Sequence, residues 1–193
     1  MTRIAIFASG SGSNAEKIAR YFQNITDKQV SLILTNNANA FVLERAKNMG
    51  IPTIVFSKKE FIESETVLEI LRDHQIDFVV LAGFLLLVPE YLVEAYPDKI
   101  VNIHPALLPK YGGKGMYGDK VHQAVREAGD EESGITIHYV NSRYDEGQIV
   151  FQARCPVTEE DTPESIAQKV HALEYQHYPQ VIEQLINKSI KNL

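Results

Sequence analysis

Two polar side chains, Asn102 and His104, stand two residues apart in the otherwise apolar run Ile100-Val-Asn-Ile-His104. In a strand the pleat turns alternate side chains to one face, so the amide and the imidazole emerge together. That pair suits acyl chemistry: an amide N–H donates to a developing oxyanion while an imidazole manages a proton. A buried, satisfied histidine is the competing structural reading. An orienting acid would complete the set. Asp145, in the turn Asp145-Glu-Gly147, is best placed by pattern, with Glu146 as its rival. Acidic residues ahead of a glycine are also ordinary turn composition, so this reading stays open.

A second set lies near the N-terminus. Arg3-Ile-Ala-Ile-Phe-Ala8 is a β-rich run that stops at Ser9-Gly-Ser-Gly-Ser13, where a helix begins. Unpaired N–H groups at such a strand-to-helix turn favour an anion, and Gly10-Ser-Gly12-Ser-Asn14 suits a phosphate. With Ala15 the turn also fits the dinucleotide pattern G-x-G-x-x-A. The next strand ends Leu34-Thr-Asn-Asn37, however, without the acidic residue a nicotinamide cofactor would want. On the final helix His171 and Glu174 share a face near Tyr175 and Tyr178, where a carboxylate could grip ribose hydroxyls or simply be exposed. The six histidines show no H-E-x-x-H spacing and the one cysteine, Cys155, has no partner, so no metal is expected.

Positioning these groups requires a framework, and the chain supplies alternating strands and helices. Val30–Thr35, Pro52–Phe56, Asp77–Ala82 and Lys99–His104 read as further strands. Ala40–Met49, Lys59–His74 and a short segment over Pro89–Ala95 read as helices. Ser13 and Glu16 have capping-box spacing for the first helix. This rhythm indicates an α/β fold: an open, mostly parallel Rossmann-like sheet with helices on both faces. Residues 105–118, rich in Pro, Gly, Lys and Tyr, read as a long irregular loop before a helix over Asp119–Ala128. Gly134–Val140 and Gln148–Arg154 read as an antiparallel hairpin. An amphipathic helix over Pro163–Ile186 closes the chain, with Ile166, Val170, Leu173, Val181 and Leu185 as its core stripe.

At 193 residues, with no repeat, linker or low-complexity tract, residues 1–193 are expected to form one domain. The formal charge of −6 argues against a nucleic-acid duplex as the main partner. Pairs such as Lys58 with Lys59 and Lys110 with Lys114 read as solvated surface. Apolar runs are too short for a bilayer, and a single cysteine without a secretory leader fits a cytoplasmic location.

Taken in order and spacing, Leu81-Ala-Gly-Phe84, Asn102-Ile-His-Pro-Ala-Leu-Leu-Pro109, Gly134-Ile-Thr-Ile-His138 and Asp145-Glu-Gly147 are similar to the signature set of the folate-dependent formyltransferases. The Gly10–Asn14 turn, Glu174 and Tyr178-Pro179 resemble the purine-biosynthetic branch of that family. The resemblance implies formyl transfer from 10-formyltetrahydrofolate, as co-substrate and without a metal, to the amine of glycinamide ribonucleotide. It implies Asn102, His104 and Asp145 as catalytic trio, with protonated His104 and Asn102 stabilising the oxyanion and Asp145 raising the histidine pKa. Gly12, Ser13 and Asn14 would hold the phosphate and Glu174 the ribose. The folate would lie between Leu86, Leu87 and Val88 on one side and Val140, Asn141, Ser142, Arg143 and Tyr144 on the other. Leu86 stands where an Arg is expected, leaving a backbone role, and the loop Lys110–Gly118 is longer than usual. The other readings are a non-catalytic phosphosugar- or folate-binding module, a formyltetrahydrofolate hydrolase, and an enzyme that formylates methionyl-tRNA. Chain length argues against the last two, which carry additional domains.

Overall fold

The computed structural model of the chain describes residues 1–191. β1 (Thr2–Phe7) lies inside a seven-stranded sheet with β2 (Lys28–Thr35), β3 (Thr53–Val55), β4 (Phe78–Leu81), β5 (Ile100–His104), β6 (Glu132–Tyr139) and β7 (Ile149–Pro156). The strand order is β3-β2-β1-β4-β5-β6-β7. The first five strands are parallel, and β6 and β7 each pair antiparallel to their neighbour. The mostly parallel sheet and its hairpin are thus as the sequence predicts.

Period-2 alternation sorts β1 between two cores. Ile4 and Ile6 pack on one face, and Ala5 and Phe7 on the other. The first face is covered by α1 (Ser13–Phe22), α2 (Val42–Asn48), α6 (Asp119–Ala128) and α7 (Pro163–Lys191); the second by α3 (Lys58–Glu63), α4 (Thr66–Asp73) and α5 (Glu90–Ala95). Both faces are therefore apolar, which is why the central strands read as near-continuous hydrophobic runs.

Two local expectations are corrected. The Ser13–Glu16 capping box does not form: Gly12 is the N-cap, at φ 71°, with no side-chain cap. Glu16 is drawn instead to Arg20 and to Arg45 of α2, charged partners that a backbone N–H cannot match. Gly12 is required there twice over, because its φ is left-handed and a Cβ would collide with Val42. The helix predicted over Lys59–His74 is two helices separated at Ser64 and Glu65. The capping box is at Ser57 and Glu60, whose reciprocal bonds are 2.7 and 3.1 Å.

Helix α7 continues to Lys191, beyond the predicted Ile186, and runs through Pro179. Ile166, Val170, Val181 and Leu185 of its stripe are buried, with Leu173 half-buried against the same core. Tyr178, fully buried, reaches across with its hydroxyl 2.9 Å from the Leu81 carbonyl and 3.2 Å from that of Val101. It ties α7 to the ends of β4 and β5. No helix among the described residues is long and apolar enough to cross a membrane.

Tyr178→Phe keeps the ring but removes the buried hydroxyl proton that the Leu81 and Val101 carbonyls share, so a loss of about 1–3 kcal/mol is expected. Urea unfolding read by circular dichroism checks this; an unchanged midpoint would mean that the hydroxyl does not tie the helix to the sheet.

Candidate active site

The C-terminal ends of β1, β4 and β5 open on one edge of the sheet, where open parallel sheets bind ligands. Asn102 and His104 emerge there from β5. Their cross-strand partners on β6 are His138, opposite Asn102, and Thr136, opposite His104. The segment between β6 and β7 then folds back over this face and brings Asp145 onto it.

Asp145 Oδ1 lies 3.5 Å from His104 Nδ1, 3.5 Å from Asn102 Nδ2 and 3.6 Å from His138 Nε2. Its other oxygen accepts the Gly113 N–H at 2.9 Å. Glu146, the rival acid, is exposed and pairs with Arg143 at 3.1 Å. Backbone geometry makes the selection. Asp145 has φ 56°, a conformation that Asp tolerates better than most side chains, and a Cβ on Gly147 would strike the Tyr139 carbonyl. The return is thus tight enough to aim one acid inward and leave the next in solvent.

His138 belongs to this cluster and was not singled out as a site residue from the sequence. Its Nδ1 lies 2.8 Å from the Tyr139 carbonyl, so that nitrogen carries the proton. Its Nε2 lies 3.2 Å from the Asn102 amide nitrogen and 3.6 Å from Asp145 Oδ1. The period-2 pattern of β6 was a signal that His138 shares a face with Thr136, but the face it opposes follows only from strand register. Thr136 is fully buried; its hydroxyl donates to the Ala106 carbonyl at 2.6 Å and accepts the Leu108 N–H at 3.0 Å. It anchors the chain leaving His104.

His104 is buried and its Nε2 lies 2.7 Å from the Tyr111 carbonyl. Burial lowers its pKa below the ordinary value, outweighing the opposing pull of Asp145 and of the Tyr111 carbonyl. The expectation of a net raised pKa is therefore corrected: Asp145 does pull upward, but desolvation wins, and the ring is neutral in the resting site. For Asp145, burial pushes upward, yet His138, His104 and the Gly113 N–H together hold the carboxyl below its usual range.

The trio opens into a cavity of about 310 Å³ also lined by Gly12, Ser13, Asn14, His122, His171 and Glu174. The first-turn N–H groups of α1 are left without helical partners at this wall. Glu174 is only 6% exposed, so the exposed-face reading of the last helix fails for it. Its Oε2 accepts the Asn14 amide at 2.8 Å, while burial raises its pKa. The Asn14 Oδ1 and His122 Nδ1 atoms are sealed without a hydrogen-bond partner. Such groups at a cavity wall are expected to be completed by a ligand or water.

On the other side of the trio a shallower recess of about 50 Å³ runs between Leu86, Leu87 and Val88 and the facing Val140, Asn141, Arg143 and Tyr144. Asn102 and Asp145 line both spaces, so two ligands could meet at these side chains. Ser142, predicted as part of this wall, is not among the lining residues. The long loop 110–118 contributes Gly113, Gly115, Met116, Tyr117 and Gly118 to the larger cavity and, through Tyr111 and Gly113, closes directly on the trio. Among the described residues no group of three or more His, Cys, Asp or Glu is disposed to hold a metal.

Residues 2–182 match the family model described as Formyl transferase. The chain is similar to the chloroplastic phosphoribosylglycinamide formyltransferase of Arabidopsis thaliana, 42% identical over 198 residues that cover 98% of this chain and 67% of that protein. It is also similar to the phosphoribosylglycinamide formyltransferase of Bacillus subtilis (strain 168), 40% identical over 96% of this chain and 95% of that one. Among solved structures, phosphoribosylglycinamide formyltransferase from Bacillus halodurans gives a TM-score of 0.87 at 38% identity, covering 97% of each chain.

His122 gives a pH dependence whose sign follows from its surroundings. Burial, then His171, pushes its pKa down from 6.5 to about 4, with Asp119 opposing and His104 adding. The unfolded chain therefore binds the proton first, and stability is complete above pH 6.5 and lost as pH falls towards 4. The expected loss at this residue is about 3 kcal/mol by pH 4. Comparing wild-type and His122→Gln urea unfolding between pH 7 and 4 isolates it. Parallel curves would show that His122 does not carry the effect.

Proposed function

Because the chain belongs to the formyl transferase family, we propose that it transfers the formyl group of 10-formyltetrahydrofolate to the amine of glycinamide ribonucleotide, a step of purine biosynthesis. The observation that carries this reading is the convergence of Asn102, His104 and His138 on one Asp145 oxygen, where the larger cavity adjoins the shallower recess.

In this reading the acceptor occupies the larger cavity. Gly12, Ser13 and Asn14 hold its phosphate through backbone N–H groups at the helix terminus, and Glu174 takes the ribose hydroxyls. The folate lies against Leu86, Leu87 and Val88 and the 140–144 segment, and supplies the formyl carbon and a nitrogen leaving group. With Leu86 in place of a charged side chain, that wall holds the folate through backbone and apolar contact. The amine nitrogen bonds to the formyl carbon and the carbonyl oxygen becomes an oxyanion. Asn102 donates to it, a contribution of roughly 3 kcal/mol for a well-placed donor. His104, neutral at rest because it is buried, accepts the amine proton and becomes a cation beside Asp145, which stabilises it. The proton then passes to the folate nitrogen as its bond to the formyl carbon breaks. Proton management of this kind is worth about 10²- to 10⁴-fold.

Residues 1–193 act as one formyltransferase domain, a reading supported by the family match over residues 2–182. Cys155 is a free, buried cysteine, and we place the enzyme in the cytoplasm with small molecules, not nucleic acid or membrane, as its partners.

A formyl-transfer assay with glycinamide ribonucleotide decides between this reading and a binding module: tight binding without turnover favours the module. His104→Ala and Asn102→Ala are each expected to lower kcat by about a hundredfold or more with the fold intact, and near-normal turnover removes the residue from the chemistry. Glu174→Ala is expected to raise the acceptor KM, and an unchanged KM argues against its ribose role.

A further inference from the structure

A second cavity, of about 210 Å³, lies beneath the chain that leaves His104, and none of its lining residues lines the larger cavity. Leu107, Leu108 and Val125 give it apolar walls. Ser133, only 2% exposed, forms part of the wall, and its hydroxyl has no hydrogen-bond partner. Gln152 directs its amide nitrogen to the Leu108 carbonyl at 3.1 Å and the Thr136 hydroxyl at 2.9 Å, leaving its side-chain oxygen as an acceptor. Charge at the rim is already matched. Lys110 pairs with Asp130 at 3.0 Å, and Arg154 with Glu132.

A space of this size with one apolar wall takes a molecule the size of a single aromatic ring, since 150 Å³ already suffices for benzene. A buried hydroxyl without a partner carries a desolvation cost that a ligand donor or acceptor would relieve. The paired rim charges give no reason for a charged guest. We propose that this cavity is a second ligand site, for a small uncharged aromatic ring with an amide-like donor–acceptor edge. The ring packs on Leu107, Leu108 and Val125, and the polar edge meets Ser133 and Gln152.

Occupancy reaches the catalytic residues through Tyr111, which lines this cavity. Tyr111 bonds Asp130 through its hydroxyl at 3.0 Å and meets His104 Nε2 through its carbonyl at 2.7 Å. Its backbone is held at φ 56°, an unfavourable conformation for a tyrosine, so a guest against its ring biases the placement of the carbonyl. This coupling rests on the proposed role of His104, whereas binding itself does not.

The test is titration of the full chain with benzamide, followed by amide NMR, with toluene as the hydrocarbon control. Saturable shifts are expected at Val125, Ser133 and Tyr111 and not at Gly12–Asn14. Ser133→Ala, which removes the hydroxyl and adds no bulk, is expected to weaken benzamide on the order of tenfold while leaving toluene unchanged. Ser133→Leu is expected to fill the space and abolish binding of both, with thermal melts confirming that each variant is folded. Absence of saturable shifts, shifts only at Gly12–Asn14, or equal benzamide affinity in both variants overturns the site. A change in kcat at saturating benzamide that Ser133→Leu abolishes supports the coupling. An unchanged kcat with binding intact overturns the coupling alone and leaves the formyl-transfer reading untouched.

Discussion

The antiparallel pairing of β5 with β6 is the constraint on which the site depends. Four parallel strand pairs bring their carboxyl ends to one edge, and β6 then runs back beside β5 in a register that sets His138 directly opposite Asn102. Directly opposite residues share a face of the sheet, so the imidazole and the amide meet. The same register seats Thr136 opposite His104, where its hydroxyl fixes the departing chain. The segment after β6 must then double back, and Gly147 lets it close against Tyr139 with Asp145 turned inward.

Burial gives this cluster its electrostatic character. Desolvation pushes the Asp145 carboxyl upward, yet the surrounding imidazoles and the Gly113 N–H hold it below its usual range. Desolvation also keeps His104 and His122 neutral against nearby acids. The result is a carboxyl held below its usual range beside an imidazole held below its own.

The far end of the molecule is coupled to this arrangement through α7. Tyr178 secures the helix to β4 and β5, and Glu174, one turn earlier, is thereby held against Asn14 of the first helix. Residues 160 positions apart in the chain thus share one wall of the larger cavity. The loop 110–118 completes the opposite wall, and its contacts to His104 and Asp145 tie its conformation to theirs.

What the sequence determined by itself was everything that rests on local period and short-range sterics. It fixed the alternation of strands and helices, the common face of Asn102 and His104, the glycine turn after β1 and the hairpin near the end. The tertiary structure decided the choices between locally equivalent candidates. Ser13–Glu16 and Ser57–Glu60 have the same capping spacing, and only the second forms, because Arg45 from another helix captures Glu16. Asp145 and Glu146 are adjacent acids, separated in role only by a left-handed backbone and a close approach to Tyr139. His138 could be placed on a strand face but not opposite Asn102, since register is a relation between strands. Even the pKa of His104 followed this division: the acid beside it was legible, while the burial that outweighs the acid exists only once the chain has folded.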